Sequence, residues 1–464
     1  MFMAAVELTI VSTAMPSVIA DLGGIHHYSW VFTGYLLAST LTVPLYGKLA
    51  DLYGRKPILL VGIGFFLLGS AASGLSSNMT QLIAARVFQG LGAGAMQPVS
   101  LTIIGDIFSL EERGRMQGVF GAVWGLAGLI GPVLGGLIVK FLSWHWVFFV
   151  NVPFGLASAA LLVGALHENV EHKRHALDTT GALLLAASVT LLLLGSQGGH
   201  GPLPIVGAAV LLAAFIFQER RAREPIVPLG LFRSPVMAVS SAAGVMIGGS
   251  MLAMVTYVPL FVQGVLGGSP TMAGSAITPM VVAWPVASAL GGRLLPSVGY
   301  RPLIWLGLSL SAAAAFALAL VTHPSENINA LRAASAGFGL GLGFANTALL
   351  IAVQSAVGWE QRGIATASTL FFRSIGGALA IGVTGGVLAR ALGADPSIPA
   401  EAANRLLGPA RGSGLDPAVL ARLGSAMDSG LDHVFWIIFA MAAAALAASL
   451  FFPHVSTRPA QDRV

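Results

Sequence analysis

The 464-residue chain has no cysteine and few charges. Without cysteine there is neither a disulfide framework nor a thiolate metal site, and redox chemistry gives no reading of the compartment. Asp, Glu, Lys and Arg together make up 9% of the residues, against roughly 25% in a soluble domain. No GxxxxGK[ST] loop is present to cradle a nucleotide. The apolar runs hold no paired acids, no Ser–His arrangement and no metal-ligand cluster, and the ten histidines place no H-x-x-x-H pair inside one. An enzyme is therefore not expected, nor any cofactor or metal. The net charge is +5 and the isoelectric point about 9.8. The basic residues are scattered between apolar runs rather than gathered on one face, so nucleic acid is not the expected partner.

What fills the chain instead is apolar sequence: 56% hydrophobic residues and a mean hydropathy of +0.83. Leu, Ala, Val, Gly and Phe recur in runs of roughly 20 residues, the length a helix needs to cross a hydrocarbon layer about 30 Å thick. The expected fold is all-α and integral to the lipid bilayer. With Pro, Gly and charge clusters as punctuation, spans fall near 1–20, 29–50, 57–76, 79–104, 115–140, 145–166, 177–196 and 202–218, then 235–262, 271–292, 301–322, 329–352, 362–390 and 431–452, about fourteen in all. Met1 to Ile19 lacks a basic n-region and reads as a true first span rather than a signal peptide. Met1 already falls inside that span, so a short cytoplasmic tail is expected ahead of it.

Alternate loops carry Lys48, Arg55, Lys56, Arg113, Arg115, Lys173, Arg174, Arg220, Arg221, Arg223, Arg233, Arg293, Arg301 and Arg362, whereas the short loops of the opposite side have little beyond Lys140. This asymmetry predicts both termini in the cytoplasm. The one long external segment, 391–430, contains "LDPAVLARLGSAM", which predicts a short interfacial helix.

The sequence also repeats itself. "GKLADLYGRKPILLVG", Gly47 to Gly62, aligns without a gap on "GRLLPSVGYRPLIWLG", Gly292 to Gly307, and "EERG" at Glu111 recurs as "EQRG" at Glu360. Two six-helix halves of like orientation follow, the plan of a rocking transporter. The expected domains are an N-terminal bundle over 1–170, an inserted helix pair over 171–230 and a C-terminal bundle over 231–464 that includes the external segment.

The loop "GKLADLYGRKP" resembles the signature loop of the major facilitator superfamily, with Gly47, Asp51, Gly54, Arg55 and Lys56 in its expected positions. Gly47 permits close approach of another helix and Asp51 suits the positive N-terminus of that helix. The resemblance implies that this loop is a cytoplasmic gate and that the helix is span thirteen. "LIAARVFQGLGAGAMQP" is similar to a second signature through Arg86, Gln89 and Gly90. "GAVWGLAGLIGPVLGG" resembles the antiporter motif: Gly121, Gly125, Gly128, Pro132 and Gly135 step along one helical face, and Gly131 with Pro132 adds a bend. "VELTIVSTAMPSV", "WHWVFFVNVPFG" and "LDTTGALLL" resemble motifs of the fourteen-span drug:proton antiporter branch, with Glu7 where the branch has Asp and His145 where it has Arg.

Export against a gradient requires an energy source, and ion coupling is what remains. Glu7 is the only Asp or Glu well inside an apolar span. Removal from water disfavours the charged form of a carboxyl, which suits proton uptake, and a membrane-buried Arg86 is a functional candidate by its cost alone. Glu7 and Arg86 are thus the expected proton-coupling pair, separated along their spans by roughly 10 Å of depth at 1.5 Å per residue. Gln89, Met96, Gln97, Trp124, Asn346, Gln354, Phe372 and Arg373 are candidates for the substrate-binding wall. The expected function is proton-coupled export of amphipathic or hydrophobic drugs from a bacterial cytoplasm across the inner membrane, by a monomer. The runner-up is a dedicated exporter of one endogenous metabolite or lipid, and behind it a membrane sensor that does not transport.

Overall fold

The computed structural model describes residues 2–22, 28–166, 168, 178–196, 203–222, 225, 227, 229–268, 270–321, 328–393 and 416–454. Among these every regular element is helical: α1 (Phe2–Leu22), α2 (Tyr28–Tyr53), α3 (Arg55–Gly74), α4 (Met79–Ile107), α5 (Leu110–Phe141), α6 (Trp146–Phe149), α7 (Asn151–Ala165), α8 (Thr179–Ser196), α9 (Leu203–Glu219), α10 (Pro235–Gly264), α11 (Pro270–Val298), α12 (Tyr300–Leu320), α13 (Ile328–Ala356), α14 (Arg362–Gly393) and α15 (Pro417–Ser449). α6 and α7 meet at Val150 and together form one apolar stretch, Trp146–Ala165. Among the described residues nine stretches are long and apolar enough to cross a membrane. Helices satisfy their own backbone polar groups, which is what a lipid solvent demands.

One expectation is corrected. "LDPAVLARLGSAM" does not form a separate interfacial helix; residues 417 onward are the first turns of α15. Asp416 caps this helix by accepting from the Ala418 N–H at 2.8 Å, with Pro417 at its first position, a strong start signal. No proline follows to break the run before Ser449, so the helix continues. The remainder of the external segment, 394–415, lies outside the described residues, as do Lys173 and Arg174.

The contacts divide the chain into two compact units. The first comprises Met1–Thr190, Val210–Met237 and Leu350–Phe371; the second comprises Leu191–Ala209, Ala238–Leu349 and Phe372–Val464. Within the first, α4 is clamped between α2 and α3, and α1 lies along α5. The "GLGAGA" run explains the clamp. A Cβ at Gly90 or Gly94 would strike backbone of α2, and one at Gly92 would strike backbone of α3, so the absent side chains let three helices touch through their main chains.

The sequence repeat has a structural counterpart in each unit. Gly54 joins α2 to α3 with φ 96°, and Gly299 joins α11 to α12 with φ 90°, a left-handed conformation that favours glycine. In the first unit Gly62 and Phe66 crowd Gly92; in the second, Gly307 and Ser311 crowd Gly341. The repeated residues thus hold matched helix pairs, α3 on α4 and α12 on α13.

Candidate functional site

Glu7 lies near the start of α1 among Ala5, Val6, Ile10 and Val11, and it is fully buried, as is Arg86 of α4. The two form an ion pair through Arg86 Nη1 and Glu7 Oε1. The same Nη1 donates to Gln89 Oε1 at 2.6 Å, and Arg86 Nε lies 3.4 Å from the Val31 carbonyl oxygen. The Tyr35 ring covers the guanidinium at 4.1 Å, a cation–π contact. On the other side, Asn151 Nδ2 donates to Glu7 Oε2. That nitrogen also lies 3.0 Å from Ser70 Oγ, which in turn donates to the Phe148 carbonyl at 2.8 Å. Side chains of α1, α2, α3, α4 and α7 therefore converge on one carboxylate. Gly69 of α3 is part of the reason: a Cβ there would overlap the Gln89 backbone.

This arrangement holds a carboxylate and a guanidinium together in a buried site. Both Glu7 oxygens are engaged, one by Arg86 and one by Asn151, so a proton arriving at either displaces a bond. With Glu7 neutral, Arg86 keeps only neutral partners in a sealed interior, a state that strongly favours rearrangement. Arg86 Nη2 already has no partner within hydrogen-bond distance.

A second charged network lies beyond the end of the second expected span. Asp51 accepts from the N–H groups of Gly363 (3.0 Å) and Ile364 (2.7 Å) at the N-terminus of α14. Arg55 pairs with Asp51 at 2.9 Å and with Asp106 at 3.0 Å, donates to the Trp359 carbonyl and lies 4.1 Å over the Trp359 ring. Arg362 reaches Asp106 and the Gly105 carbonyl, both at 2.8 Å. A Cβ at Gly47 would collide with Ala367, so glycine admits α14 here. Burial pushes the Asp51 carboxyl up to about 7 against the opposing pull of Arg55 and the two N–H groups. Lys56 Nζ donates to the Val163 and Leu166 carbonyls, while Glu168 accepts from the N–H groups of Arg55 and Lys56, capping α3.

In the second unit Arg373 stands about three turns into α14, roughly 16 Å along it. Its Nη1 donates to Asn346 Oδ1 of α13 at 3.0 Å. A Cβ at Gly248 of α10 would collide with the Arg373 carbonyl and lie 2.9 Å from its Cγ, so that glycine seats the residue. Unlike Arg86, Arg373 is only partly buried.

The remaining wall candidates separate. Met96 (2% exposed) packs among Tyr35, Tyr46, Ile63 and Phe66, and Gln354 (1%) bonds the Leu101 carbonyl and Thr366 Oγ1; both are inside packed protein. Gln89 belongs to the Glu7 cluster. Trp124 packs against the α1 core with its buried Nε1 unpartnered, and Gln97 and Phe372 are partly exposed. Along α5, Gly131 and Gly135 are buried, Gly121 and Gly125 partly so, and a Cβ at Gly128 would meet open space; the side chain of Pro132 lies outside the described set. His145 stacks on Trp144 at 3.7 Å, and Trp144 Nε1 donates to Asp21 at 2.8 Å.

Sequence reasoning did not single out Asn151, Ser70, Tyr35, Asp106 or Glu168. Asn151 was visible as the polar residue of "FVNVPFG" inside an apolar run, and Asp106 as an acid at a span end. Ser70 and Tyr35 carry no such signal.

The sequence profile described as Major Facilitator Superfamily matches residues 1–381. Multidrug resistance protein 3 of Bacillus subtilis (strain 168) is 39% identical over 315 residues, 66% of this chain and 62% of that one. Multidrug transporter protein MdtP of the same organism is 37% identical over 397 residues, 84% and 73% of the two chains. The chain thus spans less than two thirds of the first relative's length and nearly three quarters of the second's. The proton:xylose symporter XylE superimposes with a TM-score of 0.63 at 13% identity, covering 98% of this chain and 94% of its own. The human organic anion transporter MFSD10 does so with 0.61 at 16%, covering 95% and 96%. These two likenesses establish the fold.

Proposed function

Because the chain belongs to the major facilitator superfamily, a family of transporters rather than enzymes, we propose that it is a proton-coupled antiporter that exports amphipathic or hydrophobic drugs. Alternating access across a bacterial inner membrane, with both termini cytoplasmic, is the route. The drug assignment is supported by the names of the two Bacillus relatives. The single observation that carries proton coupling is the sealed Glu7–Arg86 pair, with Asn151 on the second carboxylate oxygen. A membrane-buried carboxylate is costly and is kept where it handles ions.

In this reading Glu7 takes a proton from the outer side and gives it up inward as substrate leaves. Protonation frees Arg86, and Gln89 and Tyr35 hold the guanidinium meanwhile. The Asp51–Arg55–Asp106–Arg362 network is the cytoplasmic gate: it fixes the start of α14 to the ends of α2 and α4, and must open for inward access. The glycine face of α5 lets neighbouring backbone slide closely during the exchange.

The test is efflux of ethidium, a cation, and of N-phenyl-1-naphthylamine, which is neutral, from energised cells. Wild type is expected to extrude at least one of them only while a proton gradient stands, with a protonophore abolishing efflux. Glu7→Gln at equal expression is expected to lose it. Normal pumping by Glu7→Gln places the proton site elsewhere, and wild type that moves neither dye favours a narrow exporter of one metabolite or lipid.

A further inference from the structure

Arg373 is a cation in mid-span that forms no ion pair among the described residues. Its one hydrogen-bonding partner among the described residues is the neutral Asn346. A guanidinium has five donors, and this bond occupies a single nitrogen. The other nitrogens are not among the buried unpartnered atoms, in contrast to Arg86 Nη2, and the residue as a whole is partly accessible. The remaining donors have no partner among the described residues. At roughly 16 Å from the start of α14, with a hydrocarbon core about 30 Å thick, Arg373 is too deep for its head to reach the lipid headgroups readily.

Its placement is also built. Gly248 gives room to the Arg373 carbonyl and Cγ, and Gly249 of α10 comes within 3.2 Å of the Gly376 carbonyl by the same measure. Asn346 then takes one edge of the guanidinium and leaves the planar fork facing outward. A planar fork with spare N–H groups matches a carboxylate, which accepts two parallel bonds. In a site shielded from bulk water such a bond is stronger than at a surface.

We propose that Arg373, steadied by Asn346, is an anion-recognising subsite of the substrate path, taking the carboxylate of an amphipathic small molecule. This rests on the transport reading above and gives it a substrate chemistry: an apolar body carrying one acid group.

The experiment uses the purified full chain in detergent, titrated with 1-pyrenebutyrate and with 1-pyrenebutanol, which has the same apolar body and no charge. Quenching of tryptophan fluorescence reports binding. Wild type is expected to bind the carboxylate about tenfold or more tightly than the alcohol, the scale of a hydrogen bond to a charged group. Arg373→Gln should bring the two probes within about twofold by weakening the carboxylate alone, and Arg373→Lys should keep part of the preference. Asn346→Ala retains the charge but releases the guanidinium and should reduce the preference without abolishing it, which keeps the test available if Arg373→Gln does not fold. Equal binding of both probes by wild type overturns the proposal, as does a preference that survives Arg373→Gln or is unchanged in Asn346→Ala. Binding in detergent needs no proton gradient, so a clear preference in a chain that fails to extrude 1-pyrenebutyrate from energised cells sinks the antiport reading and leaves this subsite standing. Efflux through Glu7 without the preference does the reverse.

Discussion

Gly54 and Gly299 hold nearly the same conformation, φ 96° and 90°, at matched junctions of the two repeats. Their charged neighbours differ. Beside Gly54 stand Asp51 and Arg55, joined to Asp106 and to the start of α14; at the matching positions beside Gly299 are Pro296 and Tyr300. The same division holds deeper in the membrane. Arg86 of the first unit is sealed and paired with a carboxylate, whereas the offset that carries Glu111 onto Glu360 sets Ser335 in its place. The second unit's deep cation, Arg373, is open and has a neutral partner. The two repeated segments keep a similar junction and similar glycine contacts, while the ionic contacts around them differ. In the proposed mechanism the paired charges of the first unit serve as proton switch and gate, and Arg373 of the second serves an external ligand.

The sharpest way to break this contrast is to neutralise each arginine in turn. Arg86→Met leaves the Glu7 carboxylate buried without its cation, and such half-pairs cost about 3–5 kcal/mol. Arg373→Met removes one bond to a neutral amide, about 1 kcal/mol. Thermal unfolding in detergent should therefore show a large drop for the first and a small one for the second, with Glu7→Gln restoring part of the loss when combined with Arg86→Met. Similar drops for both would mean that Arg373 has a structural counter-charge after all and that the two halves are not divided as argued.

The proposed gate offers a second comparison. Asp51→Ala removes two bonds to α14 and an ion pair to Arg55, on the order of 2–4 kcal/mol, while Pro296→Ala at the matched position removes none of these. Since the chain has no cysteine, a single Ala365→Cys substitution reports gate opening. Ala365 is fully buried in the first turn of α14, and its maleimide labelling can be normalised to Tyr53→Cys, an exposed site. Asp51→Ala should speed labelling and Pro296→Ala should not. The pH dependence has a definite sign. Asp51 holds its proton up to about 7 when latched and releases it in the ordinary carboxylate range once opened to water. Latching is therefore strongest below that range, weakens as pH rises to about 7, and then levels. Normalised labelling should rise by about tenfold or more across that window, one unit of linkage being a factor of ten, and Asp51→Asn should flatten the rise.

Much of this architecture was legible before any coordinates. The spans followed from apolar run length, because lipid permits few alternatives to a helix. Glu7 and Arg86 stood out because charge is costly in that setting, and their contact emerged only in three dimensions, since depth along two separate helices depends on tilt and packing. Asn151 and Ser70 were not singled out because small polar residues are cheap in a membrane helix and announce nothing by composition. Met96 and Gln354 were read as wall residues on side-chain type, yet the packing of α3 on α4 and the bonds around Thr366 enclose them. The start of α15 was misjudged because hydropathy marks where a helix enters lipid, whereas Asp416 and Pro417 mark where the helix begins.

The smallest effect tests the shared backbone itself. Both junction glycines combine positive φ with extended ψ, where an L-residue costs about 1–3 kcal/mol, and for Gly299 no atom lies near an added Cβ, so conformation alone would set its penalty. Gly54→Ala and Gly299→Ala should lower the unfolding temperature alike if the repeats share one backbone requirement. Their functional effects should then diverge. Gly54→Ala shifts Asp51 and Arg55 out of register with α14 and should speed labelling at Ala365→Cys. Gly299→Ala lies away from the Asp51–Arg55–Asp106 network and should leave labelling unchanged. Equal effects on labelling would show that the second junction also holds a gate, built from contacts that need no charge.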